Sequence, residues 1–459
     1  MTGKPVTTVE RCRLTLACSV TGAALVAMDG TVLTVVQPSL QRDLHATLAQ
    51  VQWTGTGYLI AVAGLLVLAG RLGDLYGHGR LLTLGALGFG VTSAGIGLAP
   101  GIGWVIALRV TQGVFGALLQ PATLGMLRAA YPPDRLGPPI ALRTSAIGLA
   151  AATGPLLGGA LAAHLGWRAV FFLGIAPALL VAVLGRVAGS GRTGGPRPVP
   201  GGRPDLAGAG LLAFALVCLV HALVELPRGG WTAATGPVLA VGLAAGAGFG
   251  WHQRRTEHPL VPPRVVRSAP VALSLGILVA VSAALFGALF LATWFLQDVQ
   301  GLDPLRSSLR GLPLAVMMVL GAPAAAWLLR RTGARWTASG GVVLLALGVA
   351  LLSRLDAGSS AVAVGTCFAS AGAGYVAVMV TATAVVVRHA AAEDAGVAGG
   401  LKQTALNIGP VLGVAAATML VGLDPGGGFV HAMRPALAAL AALAVLALPA
   451  ALRLPGARA

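Results

Sequence analysis

The sequence predicts an all-α polytopic membrane protein, and three observations support that class. Of the 459 residues, 56% are hydrophobic and only 10% are charged. The mean hydropathy is +0.85, which is too high for the surface of a soluble globular protein. The apolar residues are also grouped into uncharged runs of roughly 20 residues, the length at which a helix crosses a bilayer. We therefore expect a bundle of membrane-spanning helices.

Scanning the chain for such runs predicts fourteen spans. The sixth run is followed by GSGRTGGPRPVPGGRP, which is too polar and too interrupted to be helical and is interpreted as a linker. The predicted spans are 14–37, 51–70, 81–98, 103–127, 140–165, 170–187, 206–224, 232–251, 271–295, 308–329, 336–352, 361–387, 396–421 and 435–452.

Lysine and arginine are concentrated in alternate loops, and this asymmetry predicts the orientation of a helical membrane protein. Placing both termini in the cytoplasm assigns most of the basic residues, Arg143 among them, to the cytoplasmic loops and leaves only seven of the 31 outside. The same asymmetry accounts for the net charge of +17 without a nucleic-acid partner. We expect a multi-pass protein of the bacterial cytoplasmic membrane.

Other chemistries lack their sequence signatures. The four cysteines have unrelated spacings, which predict neither a disulfide framework nor a zinc site. The chain has no HExxH motif and no GxxxxGK[ST] phosphate loop. We therefore expect no enzyme, no metal site and no bound cofactor.

One carboxylate, that of Asp29, lies well inside a predicted span, about 12 Å from its outer end at 1.5 Å per residue. A charge there costs about 2.5 to 3.5 kcal/mol and normally faces a bundle interior or a watery cavity. A polar or small-residue sector of roughly 140° contains Ser19, Gly22, Asp29, Gly30, Thr34 and Gln37. We predict that this sector lines a cavity and that Asp29 binds a proton or substrate. A structural Asp paired with a basic residue of a neighbouring helix is the alternative.

The loop after the second span has the most specific pattern, Gly70-Arg-Leu-Gly-Asp74-Leu-Tyr-Gly77-His-Gly-Arg80. It resembles the signature loop of the major facilitator superfamily. There, glycines allow two helices and a tight turn to pack closely, while the Asp and basic residues form a cytoplasmic charge lock. Leu75 and His78 stand where basic residues are usual, which implies a weaker lock. An ordinary positively charged loop is the alternative.

A degenerate copy of this loop follows the tenth span, as Ala326-Trp-Leu328-Leu-Arg330-Arg-Thr-Gly333-Ala-Arg335. The copy predicts two six-helix halves, 1–188 and 270–459, joined by the linker 189–205 and an inserted helix pair with its loop, 206–269. In the superfamily, such repeats form a substrate site near the middle of the membrane, at their interface.

Three span patterns resemble the fourteen-span drug:proton antiporters of that superfamily. They are Asp29-Gly-Thr31-Val-Leu-Thr34-Val-Val-Gln-Pro38, Arg109-Val-Thr-Gln112-Gly113-Val-Phe-Gly116 and Gly154-Pro155-Leu-Leu-Gly158-Gly159. The resemblance implies that Asp29 and Arg109 couple transport to protons. It also implies that the glycines and proline of the third pattern form the antiporter motif, a bent and closely packed helix. A structural Arg109 paired with carbonyls, and glycines that merely pack, are the alternatives.

The resemblance implies a major facilitator fold that exports an organic compound, such as a drug or antibiotic, by alternating access in exchange for protons. It implies a functional monomer with the proton gradient as energy source. A proton-coupled uptake symporter of the same fold and a membrane sensor without transport are the alternatives. The predicted substrate-cavity residues are Thr34, Gln112, Trp294, Tyr375, Lys402 and Asn407.

Overall fold

The structure, a computed structural model, describes residues 8–132, 135, 137–189, 205–229, 235–256, 259–260, 267–389, 395–423 and 428–456. These residues form helices joined by short turns. The helices are α1 (Thr8–Asp43), α2 (Leu48–Tyr76), α3 (His78–Gly97), α4 (Ile102–Ala130), α5 (Gly137–Leu165), α6 (Trp167–Leu173), α7 (Ile175–Gly189), α8 (Leu206–Gly229), α9 (Thr235–Arg255), α10 (Ala269–Trp294), α11 (Pro304–Leu352), α12 (Ala361–His389), α13 (Ala395–Gly422), α14 (Phe429–Val445) and α15 (Leu448–Leu452). A single π-helical turn, Phe295–Val299, extends α10.

The all-α membrane class is confirmed, and each predicted span overlaps a helix. In the described part of the chain, eleven helices are long and apolar enough to cross a membrane; α2 and α9 are not among them, and α11 counts once. The number of spans therefore stays a prediction. The sixth predicted span is divided at Gly174 into α6 and α7, and the fourteenth is divided into α14 and α15.

Two glycines set the sharp changes of direction. At Gly333, φ is 78° and ψ is 173°, so α11 bends there and its two parts correspond to the tenth and eleventh predicted spans. At Gly77, φ is 94°, and α2 passes directly into α3. Glycine adopts positive φ without the steric cost that a Cβ imposes. Both loop copies found in the sequence thus supply a glycine where the chain must turn.

Helix packing forms two groups. In the first, α1 packs against α4, α5 and α7, α2 against α4, and α3 against α4 and α7. In the second, α10 packs against α12, α13 and α14, and α11 against α12 and α14. The groups meet at two seams, α2 with α13 and α5 with α11, and α8 lies beside the first seam with α9 packed on it. The predicted division of the chain into halves, linker and inserted pair stays a prediction.

Candidate functional site

The predicted acid and the predicted buried arginine form an ion pair between α1 and α4. The Asp29 Oδ2 and Arg109 NH1 atoms are 2.7 Å apart, and the side chains are 12% and 1% exposed. A buried arginine needs a partner, because the desolvation of its charge costs several kcal/mol. The alternative noted for Asp29, a pairing with a basic residue of a neighbouring helix, therefore describes its geometry.

Arg109 is also held by groups that carry no charge. Its Nε donates to the Thr54 carbonyl at 3.0 Å, its NH1 donates to Gln112 Oε1 at 2.5 Å, and the guanidinium lies over the Tyr58 ring at 4.4 Å. Gln112 Nε2 in turn donates to Ser93 Oγ at 2.7 Å. The network joins α1, α2, α3 and α4. The guanidinium consequently keeps its position whether or not Asp29 is ionised.

Asp29 also borders a small cavity. Its volume is about 20 Å³, and its lining includes Met28, Leu33, Phe171 and Gly174. A space of roughly 10–15 Å³ holds one water molecule when polar groups are present. The cavity therefore has room for a water that could carry a proton to the carboxylate, but it has no room for an organic substrate.

The polar sector predicted on α1 is only partly cavity-facing. Ser19 donates to the Thr123 carbonyl at 2.9 Å, and a Cβ at Gly22 would lie 3.1 Å from the Thr123 side chain. Both residues thus pack against α4, and their predicted place on a cavity wall is wrong. Near the other end of the sector, Gly30 faces open space and Thr34 donates to the Thr31 carbonyl at 2.7 Å.

The predicted cavity residues do not form one cluster. Gln112 belongs to the Arg109 network. Trp294 Nε1 donates to Gln41 Oε1 at 3.0 Å, beyond Asp29 on α1. Tyr375 is buried and its hydroxyl lies 3.3 Å from Ser282 Oγ, so it packs inside the second helix group. Lys402 and Asn407 lie on α13, half-buried and buried respectively.

The loop predicted as a charge lock has only part of its geometry described. Gly70 lies close to Pro121 of α4, and Arg80 is exposed. Asp74 is in the last turn of α2, but its side chain lies outside the described residues. His78 has a role that the sequence did not reveal: its imidazole occupies the space where a Cβ of Gly73 or Gly125 would be. Those two glycines make room for it between α2 and α4.

The glycines of the predicted antiporter motif contact both helix groups. On one side, Gly154 packs against Thr31, and a Cβ at Gly158 would lie 2.9 Å from Val32 Cγ1. On the other side, a Cβ at Gly159 would lie 2.6 Å from the Pro304 carbonyl oxygen of α11. The α5 helix is thus packed closely against α1 and across the seam.

A hydrogen bond ties the kinked segment of α5 to the other helix group. Ser308 Oγ, near the start of α11, donates to the Pro155 carbonyl at 2.7 Å. A proline inside a helix removes one backbone hydrogen bond and bends the helix. The bend of α5 therefore lies where α5 is held against α11.

A second copy of the motif, which the sequence reading missed as such, packs the same way in the other group. The α13 segment Gly409-Pro410-Val411-Leu412-Gly413 matches residues 154–158 in spacing. A Cβ at Gly409 would lie 2.6 Å from Ser282 Cβ, and one at Gly413 would overlap the Ala283 carbonyl on α10. The signal was available in the GPxxG spacing. The α10–α13 contact is thus the counterpart of α1–α5.

The ends of α1 and α10 are joined on the side of Asp29 toward the α1 C-terminus. Gln297 Nε2 donates to the Val35 carbonyl at 2.8 Å, and Arg42 NH1 lies 3.3 Å from Asp298 Oδ1. With the Trp294–Gln41 bond, these contacts close the two helix groups against each other at this end.

Comparisons with known proteins agree with this architecture. A model of the Major Facilitator Superfamily matches residues 20–414. The chain is 39% identical over 408 residues to a tetracenomycin C resistance and export protein of Streptomyces glaucescens, covering 89% of this chain and 75% of that protein. It is 34% identical to a puromycin resistance protein of Streptomyces alboniger, with coverage of 85% and 78%. It is 30% identical to a multidrug efflux pump of Mycolicibacterium smegmatis, with coverage of 90% and 82%.

Solved structures with the same fold are more distant in sequence. A peptide transporter in complex with sulfate superposes with a TM-score of 0.69 at 15% identity, over 95% of this chain and 94% of that one. A bacterial homologue of the lysosomal transporter Spinster, in an inward-facing and occupied conformation, gives 0.66 at 18% identity over 98% and 97%.

Proposed function

This chain belongs to the major facilitator superfamily, and on that premise we propose that it exports an organic compound across a bacterial cytoplasmic membrane in exchange for protons. The names of three relatives, covering resistance, export and efflux, favour the export of a drug or antibiotic over uptake or sensing. The observation that carries the proton-coupled part is the buried Asp29–Arg109 ion pair.

Protonation of Asp29 changes the charge balance of the buried network. An ionised Asp29 compensates Arg109, and a neutral one leaves a buried cation held by Thr54, Gln112 and the Tyr58 ring. Breaking a buried ion pair costs about 3–5 kcal/mol. Reversing a two-state equilibrium from 1:99 to 99:1 takes about 5.5 kcal/mol. Protonation at this one site is therefore of the magnitude needed to favour a different conformation.

The same helix links the acid to the contacts that close one end. Asp29 and Val35 are six residues apart on α1, about 9 Å, and the Val35 carbonyl accepts the hydrogen bond from Gln297 of α10. We propose that this closed end is the extracellular one, with both termini in the cytoplasm. Proton uptake would then occur when the α1–α10 contacts separate, and substrate would be taken up from the cytoplasm when they are closed.

The remaining parts of the proposal follow from the same scheme. The halves 1–188 and 270–459 would rock about the α2–α13 and α5–α11 seams, with 206–269 as an accessory pair. The proton gradient would be the energy source with no bound cofactor, and a single chain would suffice. One charge crossing 100 mV is worth about 2.3 kcal/mol, or roughly fifty-fold accumulation per proton.

The test is the substitution Asp29→Asn in proteoliposomes, with puromycin and tetracenomycin C as probes. Asn has nearly the same shape but does not titrate, so uphill export driven by a pH gradient should be lost while downhill exchange persists. Asp303→Asn is the matched control. It removes an exposed ion pair with Arg306, 3.2 Å between Nε and Oδ2, and Asn still serves as an N-cap for α11. Pumping against a substrate gradient by the Asp29 variant would refute the coupling role.

A further inference from the structure

Arg143 of α5 carries a charge that no carboxylate in the described part of the chain neutralises. Its Nε and NH2 donate to Thr123 Oγ1 at 3.1 and 3.0 Å, and NH2 also donates to the Gln120 carbonyl at 3.4 Å. These neutral acceptors orient the guanidinium and leave its charge uncompensated. The sequence had assigned Arg143 to a cytoplasmic loop. That assignment is wrong, because α5 begins at Gly137 and Arg143 lies in its second turn.

Lys402 is a second cation of the same kind, on α13 of the other helix group. It is half-buried, and it forms no salt bridge or hydrogen bond with the residues that the structure describes. The charged neighbour that acts on its ammonium group is Arg143. Two positive groups from opposite sides of the molecule therefore face each other.

The packing of α5 and α13 explains why these two side chains converge. Arg143 stands eleven residues before Gly154, and Lys402 stands seven residues before Gly409. At 100° per residue these separations are three turns and two turns, each within roughly 20°. Each cation thus lies on the same helix face as its motif glycine. The two differ in depth by about one helical turn, on the side of the motifs toward the helix N-termini.

The acid in the middle of α1 cannot balance this pair, because Asp29 is already engaged with Arg109. Two partly desolvated cations without a counter-ion cost several kcal/mol. Unpartnered polar atoms lie beside them on α13: Thr404 Oγ1 and Asn407 Nδ2, in side chains 8% and 7% exposed, have no hydrogen-bond partner among the described groups. This combination provides charge and hydrogen-bond donors for a ligand that comes and goes.

We infer that the exported compound is an organic anion whose carboxylate, sulfonate or acidic phenol binds between Arg143 and Lys402. The inference rests on the proposed export function and adds the chemical class of its substrate. Two forked or point donors from opposite halves would clamp one acidic group, and Asn407 would donate to a neighbouring oxygen. Exchange of one such anion for one proton would move two charges inward in each cycle.

Two probes of the same shape test this directly. Anthraquinone-2-carboxylate and anthraquinone-2-carboxamide differ by one negative charge, and their affinities for the purified protein in detergent are measured by quenching of tryptophan fluorescence. A charge-assisted hydrogen bond is worth about 1.5–3 kcal/mol, so the carboxylate should bind about tenfold more tightly or better. Lys402→Gln and Arg143→Gln should each bring the two probes close to parity, and Lys402→Arg should preserve the preference.

Arg128→Gln is the matched control, because Arg128 is exposed near the end of α4 and its loss lowers the net charge equally. Equal affinities of the two probes for the wild-type protein would overturn the inference, and so would an effect of Arg128→Gln as large as that of Lys402→Gln. The transport arm uses a pH gradient and a cationic probe, ethidium. Export of ethidium without binding of the carboxylate would sink the anion site and leave the export function standing. Preferential binding of the carboxylate without proton-driven transport of any probe would sink the export function instead.

Discussion

The substitution Gly413→Ala probes how closely α13 must approach α10. A Cβ at this position would overlap the Ala283 carbonyl and would lie 2.7 Å from the Ala283 Cα, whereas ordinary contacts begin at 3.4 Å. The helices would therefore have to separate by at least about 0.7 Å, because the obstacle is backbone and cannot rotate away. Overpacking of this kind typically costs about 1–3 kcal/mol, which corresponds to about a 5- to 150-fold loss if it falls on the transport barrier.

The assay for Gly413→Ala is the initial rate of proton-driven export in proteoliposomes, with thermal unfolding measured in parallel. Gly399→Ala is the control on the same helix, since a Cβ there meets nothing within 4 Å and alanine is the better helix former by up to about 1 kcal/mol. Gly158→Ala should be milder than Gly413→Ala, because the nearest atom there belongs to the Val32 side chain. Wild-type rate and stability for Gly413→Ala would refute the close-packing argument.

Three further outcomes are expected. Asp74→Asn should slow export at equal expression, as judged by transport per unit of membrane protein; an unchanged rate would leave the charge-lock interpretation without support. Gly158→Leu should nearly abolish export, because a leucine side chain cannot fit where a Cβ already meets Val32; normal transport would show the glycine to be incidental. Burial raises the pKa of Asp205, but its hydrogen bonds from His252, the Gly208 amide and Gln253 together hold that pKa below the ordinary 3.8. Its contribution to stability is thus complete above pH 3.8 and is lost as the pH falls toward the lowered pKa, so thermal unfolding of Asp205→Asn should lack this step, and a step that persists would assign it to another group.

The sequence was sufficient for the helices because the signal is one-dimensional. Length, apolarity and the absence of charge predict a span wherever the bilayer imposes them, and every predicted run overlaps a helix. Breaks within a span were harder to predict. Gly174 and Gly333 are two glycines among many in this chain, and only the surrounding packing decides which of them ends or bends a helix.

The candidate site was predictable as a set of residues, but its arrangement was not. Asp29 and Arg109 stood out because ionisable groups inside a span are costly, yet their mutual contact depends on how α1 and α4 meet. The predicted wall position of Ser19 failed for the same reason, since helical periodicity gives a direction without naming the neighbour. Lys402 was identified as a cavity residue, but its partner Arg143 was hidden by a helix boundary that the charge pattern placed too late.

The repeated GPxxG motif shows that the scaffold is doubled while the chemistry is not. Gly154 and Gly158 pack on Thr31 and Val32 of α1, and Gly409 and Gly413 pack on Ser282 and Ala283 of α10. The counterpart of Asp29, two residues before Thr31, is therefore Ala280, two residues before Ser282.

A charge change in one half can reach the other half only through contacts that cross between them. Two such hydrogen bonds are those from Gln297 to the Val35 carbonyl and from Ser308 to the Pro155 carbonyl. The first is on the helix that carries Asp29, and the second is at the kink of the helix packed beside it. A proton bound by the single acid of one half is therefore placed to bias both connections at once.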